Sequence, residues 1–469
     1  MSLIGRGLPR FRKNRPEYWC KERSVQPPAA LLLLVLTCLV SACKTIDEPA
    51  ILEGRWEGTI AVQGQTQPMR VDFYGEPGNW HALTGKTDAP ESSIPLMNVQ
   101  YQNPRISFEL NDGPARLTFE GTVIGDLIKA SARGGERELK LELRRVGAAP
   151  APAFKEEAIH FTNGDTTLNG TLLLPDGNGP HPAVVLIHGT GRQTRSEWRF
   201  FGMQFARNGV AALLYDKRDV GHDPSGMDLV DLNQLAGDAL AAVNLLKDRK
   251  EISGNRIGLW GISQGGWVAP MVASQSPDVA FIITISAPGV TYADLNVFAV
   301  ANRLRERGFS EAEISEAQQA LRRLDDFMRN GNDPAGVQAM LEQAVPKRWF
   351  APSTLPATLP TESERKTWLR WRDLDLDPVS FWSRVRVPVL LLYGERDDVV
   401  PVRESVERIT AALQKAGNRS FTVKVFPAAD HELTTNADRT NIVPGYFETV
   451  NPWVTEVVSP KGTKTQSKK

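Results

Sequence analysis

Between Ile51 and Val146 apolar and polar residues alternate in short stretches. Ile106, Phe108 and Leu110 are interleaved with Ser107 and Glu109, and Leu139, Leu141 and Leu143 with Lys140 and Glu142. A period of two puts one set of side chains on each face of an extended strand. Gly, Asn and Pro punctuate the pattern at the spacing of short antiparallel strands, so residues 47–148 are predicted to close into a small β-barrel or sandwich. The stretch Gly147 to Pro152, with three Ala and two Pro, reads as a linker.

Beyond Phe154 the grammar changes. Ala183 to Ile187, Val210 to Tyr215, Ile257 to Trp260, Val279 to Ile285 and Val387 to Tyr393 are nearly unbroken apolar runs. Strands of that kind are buried on both faces, as in a parallel sheet covered by helices. The connecting segments fit: Leu235, Ala239, Ala242 and Leu246 recur at helical spacing, and Val406, Ile409 and Leu413 lead to a Gly417 stop. Pro270 falls inside the helix expected after Ser263 and predicts a bend there. Phe421, Val423 and Val425 form a last alternating strand. The expected class is α/β, a doubly wound and mostly parallel sheet over 153–460, with a polar tail at 461–469.

Between Ile285 and Val387 lie far more residues than a crossover requires. Leu304 to Arg307, Ser310 to Met328 and Pro334 to Ala344 carry apolar residues at spacings of three and four, with Ser310 as an N-cap. A helical insertion over about 291–385 is expected. It holds Trp349, Trp368, Trp371 and Trp382, which either line a pocket beneath the insertion or pack it onto the sheet.

Composition adds the start of the chain. The 469 residues are 41% hydrophobic and 23% charged, which is globular, and 55 basic residues balance 55 acidic ones. Seven of the basic and two of the acidic residues lie in 1–42, so the rest carries 48 against 53, and no nucleic-acid surface is indicated. The basic start runs into Ala29 to Val40, an apolar run too short for an ordinary membrane span and suited to a signal peptide over 1–42. Val40-Ser41-Ala42-Cys43 resembles the bacterial lipobox, which implies cleavage before Cys43 and its lipidation. The expected location is the cell envelope, held by a lipid anchor on the outer membrane or cell surface; without the anchor the protein would be periplasmic or secreted. The basic region is long, which leaves open a true start downstream of Met1. Of the three Cys, Cys20 and Cys38 leave with the signal, so the mature chain has no internal disulfide.

The chemistry centres on Arg256 to Met271. Gly261, Ser263 and Gly265 form Gly-x-Ser-x-Gly directly after an apolar run. A nucleophile elbow needs that order: a strand, a turn too tight for bulk on either side, a strained Ser and a helix. In a chain with 38 Gly the pattern alone is also consistent with a Gly-rich turn and an incidental Ser. His81 stands between Trp80 and Ala82 with no titratable cluster around it, and it and Trp56 and Trp80 are expected to be packing residues.

Four motifs in order resemble the α/β-hydrolase fold over roughly Glu156 to Val458, nearest the bacterial esterases and dienelactone-hydrolase-like enzymes. Around the elbow they are His188-Gly189-Thr190-Gly191, Tyr215 to Gly221, Gly394 to Pro401 and Phe426 to Leu433. The resemblance implies an oxyanion hole from the amides of Thr190 and Gln264, with His188 supporting the loop. It implies Asp397 as the acid, with Asp398 as the neighbour that a one-residue loop shift would substitute; apart from the resemblance, these acids could simply cap the helix beginning near Val402. The second motif departs from the family where Asp219 stands in place of Gly; Lys217 and Arg218 there should pair with loop carboxylates or backbone oxygens, and His222 is an exposed turn residue. Of six His, His431 alone lies beyond the acid, so Ser263, Asp397 and His431 match the nucleophile, acid and base order. The insertion then corresponds to the family's cap, a lid over the acyl pocket. The β domain ahead of it is similar to calycin-like modules found before some exported hydrolases.

These readings converge on a serine hydrolase that cleaves small-molecule carboxylic esters through an acyl-enzyme. Peptidase or thioesterase action on the same triad, and a non-catalytic envelope protein whose β domain binds a partner, are the alternatives. No His, Cys or acidic spacing suggests a metal, no cofactor is expected, and the oligomeric state is left open.

Overall fold

The computed structural model describes residues 51–459 apart from 63–64, 86–93, 113–114, 135–136, 151–152, 219–230 and 436–441. The basic leader, Cys43, Asp219, His222 and the polar tail lie outside the described residues.

Eight strands, β1 (Gly54–Val62), β2 (Gln65–Glu76), β3 (Asn79–Gly85), β4 (Ile94–Gln102), β5 (Arg105–Asp112), β6 (Ala115–Ile124), β7 (Leu127–Gly134) and β8 (Arg137–Gly147), follow one another round a closed antiparallel barrel. Closure comes from β1 pairing with β8. The period of two sends Trp56, Val71, Phe73, Phe108, Phe119, Ile128 and Leu143 inward, all fully or almost fully buried. Phe108 and Phe119 stack with centroids 5.2 Å apart. The Trp56 indole N–H donates to the Leu52 carbonyl at 2.9 Å, so this ring is core packing.

The second sheet has β9 (Phe154–Asn163), β10 (Thr166–Pro175), β11 (His181–Ile187), β12 (Ala211–Tyr215), β13 (Ile252–Ile262), β14 (Val279–Ile285), β15 (Val389–Gly394) and β16 (Phe421–Phe426). Their order across the sheet is β16-β15-β14-β13-β11-β12-β10-β9. β10 pairs antiparallel with β9 and β12, and all the other neighbours pair parallel. The unbroken apolar runs supply both faces. Val185, Leu259, Ile282 and Leu391 meet helices α2 (Leu232–Lys247), α3 (Gly265–Gln275) and α10 (Val402–Lys415). Leu186, Trp260, Ile283 and Leu392 meet α1 (Arg199–Arg207) and α11 (Tyr446–Val458). Parallel alignment carries the ends of β11, β13, β14 and β15 to one carboxyl edge, where Ile187 stands opposite Gly261.

The barrel meets the sheet through Leu83, which shares an apolar cluster with Phe154 and Phe201. Beside it Tyr74 stacks on His81 at 5.6 Å, Arg199 donates to His81 Nδ1 at 3.4 Å, and Arg199 pairs with Glu156 of β9. Burial and the adjacent Arg199 push the His81 pKa below its ordinary value, so it is a neutral packing residue.

The insertion is helical: α4 (Tyr292–Glu306), α5 (Glu311–Asn330), α6 (Pro334–Ala344), α7 (Phe350–Ser353), α8 (Glu362–Arg372) and α9 (Val379–Trp382). Ser310 and Glu313 close a capping box on α5. α4 starts well before the expected Leu304, capped by Thr291, whose Oγ1 accepts the Asp294 N–H at 3.3 Å. Ala293, Val297, Val300, Ala301 and Leu304 carry the spacing that extends it. Two of the four Trp prove to be buried packing residues. Trp349 is buried in the insertion's own core and donates to Glu316 at 3.0 Å, and Trp382 is buried against the sheet. The side chains of Trp368 and Trp371 lie outside those described.

Candidate active site

Ser263 sits one residue beyond β13 with φ at +52°, a left-handed conformation that costs a non-glycine residue on the order of 1–3 kcal/mol. Its neighbours enforce the turn. A Cβ on Gly261 would meet the Gly265 carbonyl oxygen at 2.5 Å, and one on Gly265 would meet the Ile187 oxygen at 2.7 Å. Ser263 N–H donates to Ile285 O at 2.9 Å, and Ser263 O accepts from Gly266 N–H at 2.8 Å as α3 begins. Pro270 lies within α3.

The end of β14 joins this turn to the loop of His431. Ser286, the residue after Ile285, donates from Oγ to the His431 carbonyl at 2.9 Å. The loops of Asp397 and His431 are themselves joined: Arg396 N–H donates to Ala429 O at 2.8 Å, and Gly394 is so close to Asp430 that a Cβ would lie 2.1 Å from its carbonyl oxygen. His431 Nδ1 lies 2.9 Å from both carboxylate oxygens of Asp397. The carboxylate is fixed in turn, since Oδ1 accepts the amides of Val399 at 2.9 Å and Val400 at 2.8 Å. Burial works to lower the His431 pKa, but the charge of Asp397 and its hydrogen bond outweigh it, with Glu432 and Asp398 adding to them, and the imidazole stands above its ordinary value. Among the described residues the Ser263 hydroxyl makes no hydrogen bond, and its link to His431 runs through the backbone of residues 285 and 286.

The acid's neighbour has another place. The Asp398 carbonyl accepts from Asn302 of α4 at 3.0 Å, which ties the insertion to the acid loop. Neither acid caps α10, whose N-cap is Pro401 with no side-chain bond, so the capping reading is corrected: the Asp397 carboxylate is taken up by the turn ahead of the helix and by His431.

Thr190 is exposed and Gln264 buried, on loops leaving β11 and β13. Among the described residues no acceptor takes the backbone amide of either. The Gly189 amide, by contrast, is taken by Gln193 Oε1 at 2.8 Å. His188 is a support: its Nε2–H donates to Tyr215 O at 2.6 Å, and burial, with Lys217 nearby, pushes its pKa to about 3. Asp216 receives Arg195, with Oδ2 2.6 Å from Nη2, and Arg218 pairs with the buried Asp238, its Nε 2.8 Å from Oδ2. Lys217 reaches inward to Gly189 O, Gly191 O and Gln264 Oε1. No spacing in the chain marks Ser286 or Asn302, because each acts through a carbonyl that only the assembled sheet edge brings near.

A sequence profile described as the Alpha/beta hydrolase family matches residues 184–441. Among curated proteins the chain is 26% identical to esterase EstD of Thermotoga maritima over 347 residues, 72% of this chain and 73% of that one. It is 29% identical to the thiohydrolase aneE of Aspergillus aculeatus over 257 residues, 51% of this chain and 76% of the other. Among solved structures, an esterase of Pyrococcus furiosus aligns with a TM-score of 0.42 at 18% identity, over 67% of this chain and 95% of that one.

Proposed function

This chain belongs to the alpha/beta hydrolase family, and from that premise we propose that it is a serine hydrolase cleaving carboxylic esters of small molecules. The observation that carries the reading is the Asp397–His431 pair, 2.9 Å apart on loops bonded to the strained turn of Ser263. Asp397 holds Nδ1 as the protonated nitrogen, which leaves Nε2 to take the proton of Ser263. Hydrogen bonds of this kind are often long in the free enzyme and tighten around substrate. Ser263 Oγ then attacks the carbonyl carbon, and the developing oxyanion is met by the amides of Thr190 and Gln264, which have no other acceptor among the described residues. His431 returns the proton to the leaving alcohol, activates a water, and that water releases the acid from Ser263.

The esterase relative supports ester cleavage. A second reading, thioester hydrolysis, is favoured by the thiohydrolase relative and requires only a different leaving group at the same site. Ser263→Ala tests both. Turnover of p-nitrophenyl acetate and of a short acyl thioester should fall at least about 10³-fold with the thermal melt unchanged. Retained turnover in the folded variant removes Ser263 from the mechanism, and the ratio of the two wild-type rates decides between ester and thioester.

A further inference from the structure

Lys217 follows β12 and is 3% exposed, a charged side chain within the carboxyl edge of the sheet. Among the described residues its ammonium donates to Gly189 O at 2.9 Å, Gly191 O at 3.2 Å and Gln264 Oε1 at 2.7 Å. The first two flank Thr190 and the third belongs to the residue after Ser263. One buried cation therefore binds both loops whose amides have no acceptor among the described residues.

We propose that Lys217 is the positioning residue of the oxyanion hole, aiming the Thr190 amide through the Gly189 carbonyl and holding Gln264 by its side chain. This rests on the serine-hydrolase reading given above. The Gly189 carbonyl and the Thr190 N–H belong to one planar trans peptide and point in opposite directions. Fixing the oxygen on Lys217 therefore fixes the N–H on the far side, away from the ammonium. A cation on the oxygen end also polarises that peptide and makes its N–H a stronger donor. Gly191, with φ at +93°, lets the loop fold back so that its own carbonyl reaches the same ammonium. Gln264 lies at the start of α3, and its side-chain oxygen on Lys217 holds that residue against the first loop. A hole preorganised in this way needs no reorganisation as the oxyanion forms, which is where such sites gain their rate. Lys217 touches no reacting atom and acts through the two loops.

A double-mutant cycle with Lys217→Met and Gln264→Met tests this, because Gln264→Met keeps the backbone amide and removes only its anchor. Lys217→Met should lower kcat for p-nitrophenyl butyrate by about 10²-fold, the scale of losing one oxyanion donor, with KM changed less than about threefold. Binding of a trifluoromethyl ketone, which forms an oxyanion on Ser263, should weaken by the same factor. Gln264→Met should lower kcat about tenfold, and the double variant should be no slower than Lys217→Met alone, since both break one linkage. A role confined to stability would lower the melting temperature and leave kcat per folded molecule and ketone affinity unchanged. That result, or independent effects that multiply, overturns the proposal. If Lys217→Met does not fold, Gln264→Met decides by itself through kcat and ketone affinity. Ser263→Ala serves as the control: if it retains turnover the hydrolase reading fails, whereas a dead Ser263→Ala beside a Lys217→Met of full kcat sinks the brace alone.

Discussion

At the scale of single residues the site is a problem of charge and direction. His431 is held above its ordinary pKa chiefly because the charge and hydrogen bond of Asp397 overcome the effect of burial. In the proposed mechanism only the neutral imidazole accepts a proton from Ser263, so activity should be lost as pH falls through that raised value. The acid limb of kcat/KM should therefore stand above the ordinary histidine value of about 6.5. Asp397→Asn removes the raising charge, so the limb should move down while kcat falls by roughly 10³–10⁴-fold. A pH-rate profile with an unmoved limb would assign the titration to another group. The effect on stability has the opposite sense: the imidazolium–carboxylate pair stabilises the fold fully below the unfolded histidine pKa, and this contribution fades as pH rises through the raised value. At this scale the turn of Ser263 was legible from its flanking glycines, and the contact of His431 with Asp397 was expected because no other histidine lies beyond that acid. Ser286 and the inward path of Lys217 were not legible, since each binds an atom remote in sequence that carries no side-chain signature.

Among elements, the strand–turn–helix of β13 and α3 is the most constrained. Gly265 lies against the Ile187 and His188 carbonyls, where a Cβ would come within 2.7 and 3.0 Å. Gly265→Ala must push the elbow off β11, and a loss of about 1–3 kcal/mol is expected from such overpacking, together with a fall in kcat as Ser263 moves relative to Thr190. Urea denaturation and kinetics on the same sample check this; wild-type values for both would mean that the loop yields freely. The insertion shows the limit of periodicity. α5 announced itself by its Ser310 box, whereas the beginning of α4 was missed because Thr291 is an ordinary cap that follows a buried loop directly. Which side its aromatics face is a matter of competition for burial, and Trp349 and Trp382 went to the nearest apolar clusters.

For the molecule as a whole, the barrel is joined to the hydrolase sheet by a half-hidden polar contact beside Leu83. Arg199→Met would leave Glu156, whose side chain is only 15% exposed, with His81 Nε2 still beside it at 3.8 Å. A destabilisation of about 1–3 kcal/mol is expected, short of the roughly 3–5 kcal/mol of a fully unpaired buried charge because His81 stays beside the carboxylate. Calorimetry showing less than about 1 kcal/mol would make that pair incidental, as exposed ion pairs usually are. Residue 43 carries the other prediction at this scale. A lipidated Cys43, proposed from the lipobox-like stretch, would hold the protein on a membrane by roughly 0.8 kcal/mol per buried methylene of its acyl chains. Cys43→Ser should then leave the membrane fraction or accumulate as precursor, and equal fractionation of variant and wild type would remove the anchor.

The alternation of apolar and polar residues by itself determined that an antiparallel β segment precedes a covered parallel sheet, because strand period and two-sided burial are local properties written into consecutive positions. It also determined where the tight turn of Ser263 must lie, since bulk cannot be placed on either side of it. Only the tertiary structure decided that Asp397 and not Asp398 meets His431, that the barrel closes, which apolar clusters bury Trp349 and Trp382, and that Lys217 spans two loops. Those outcomes depend on distances between segments far apart in the chain, set by the register of parallel strands along one sheet edge.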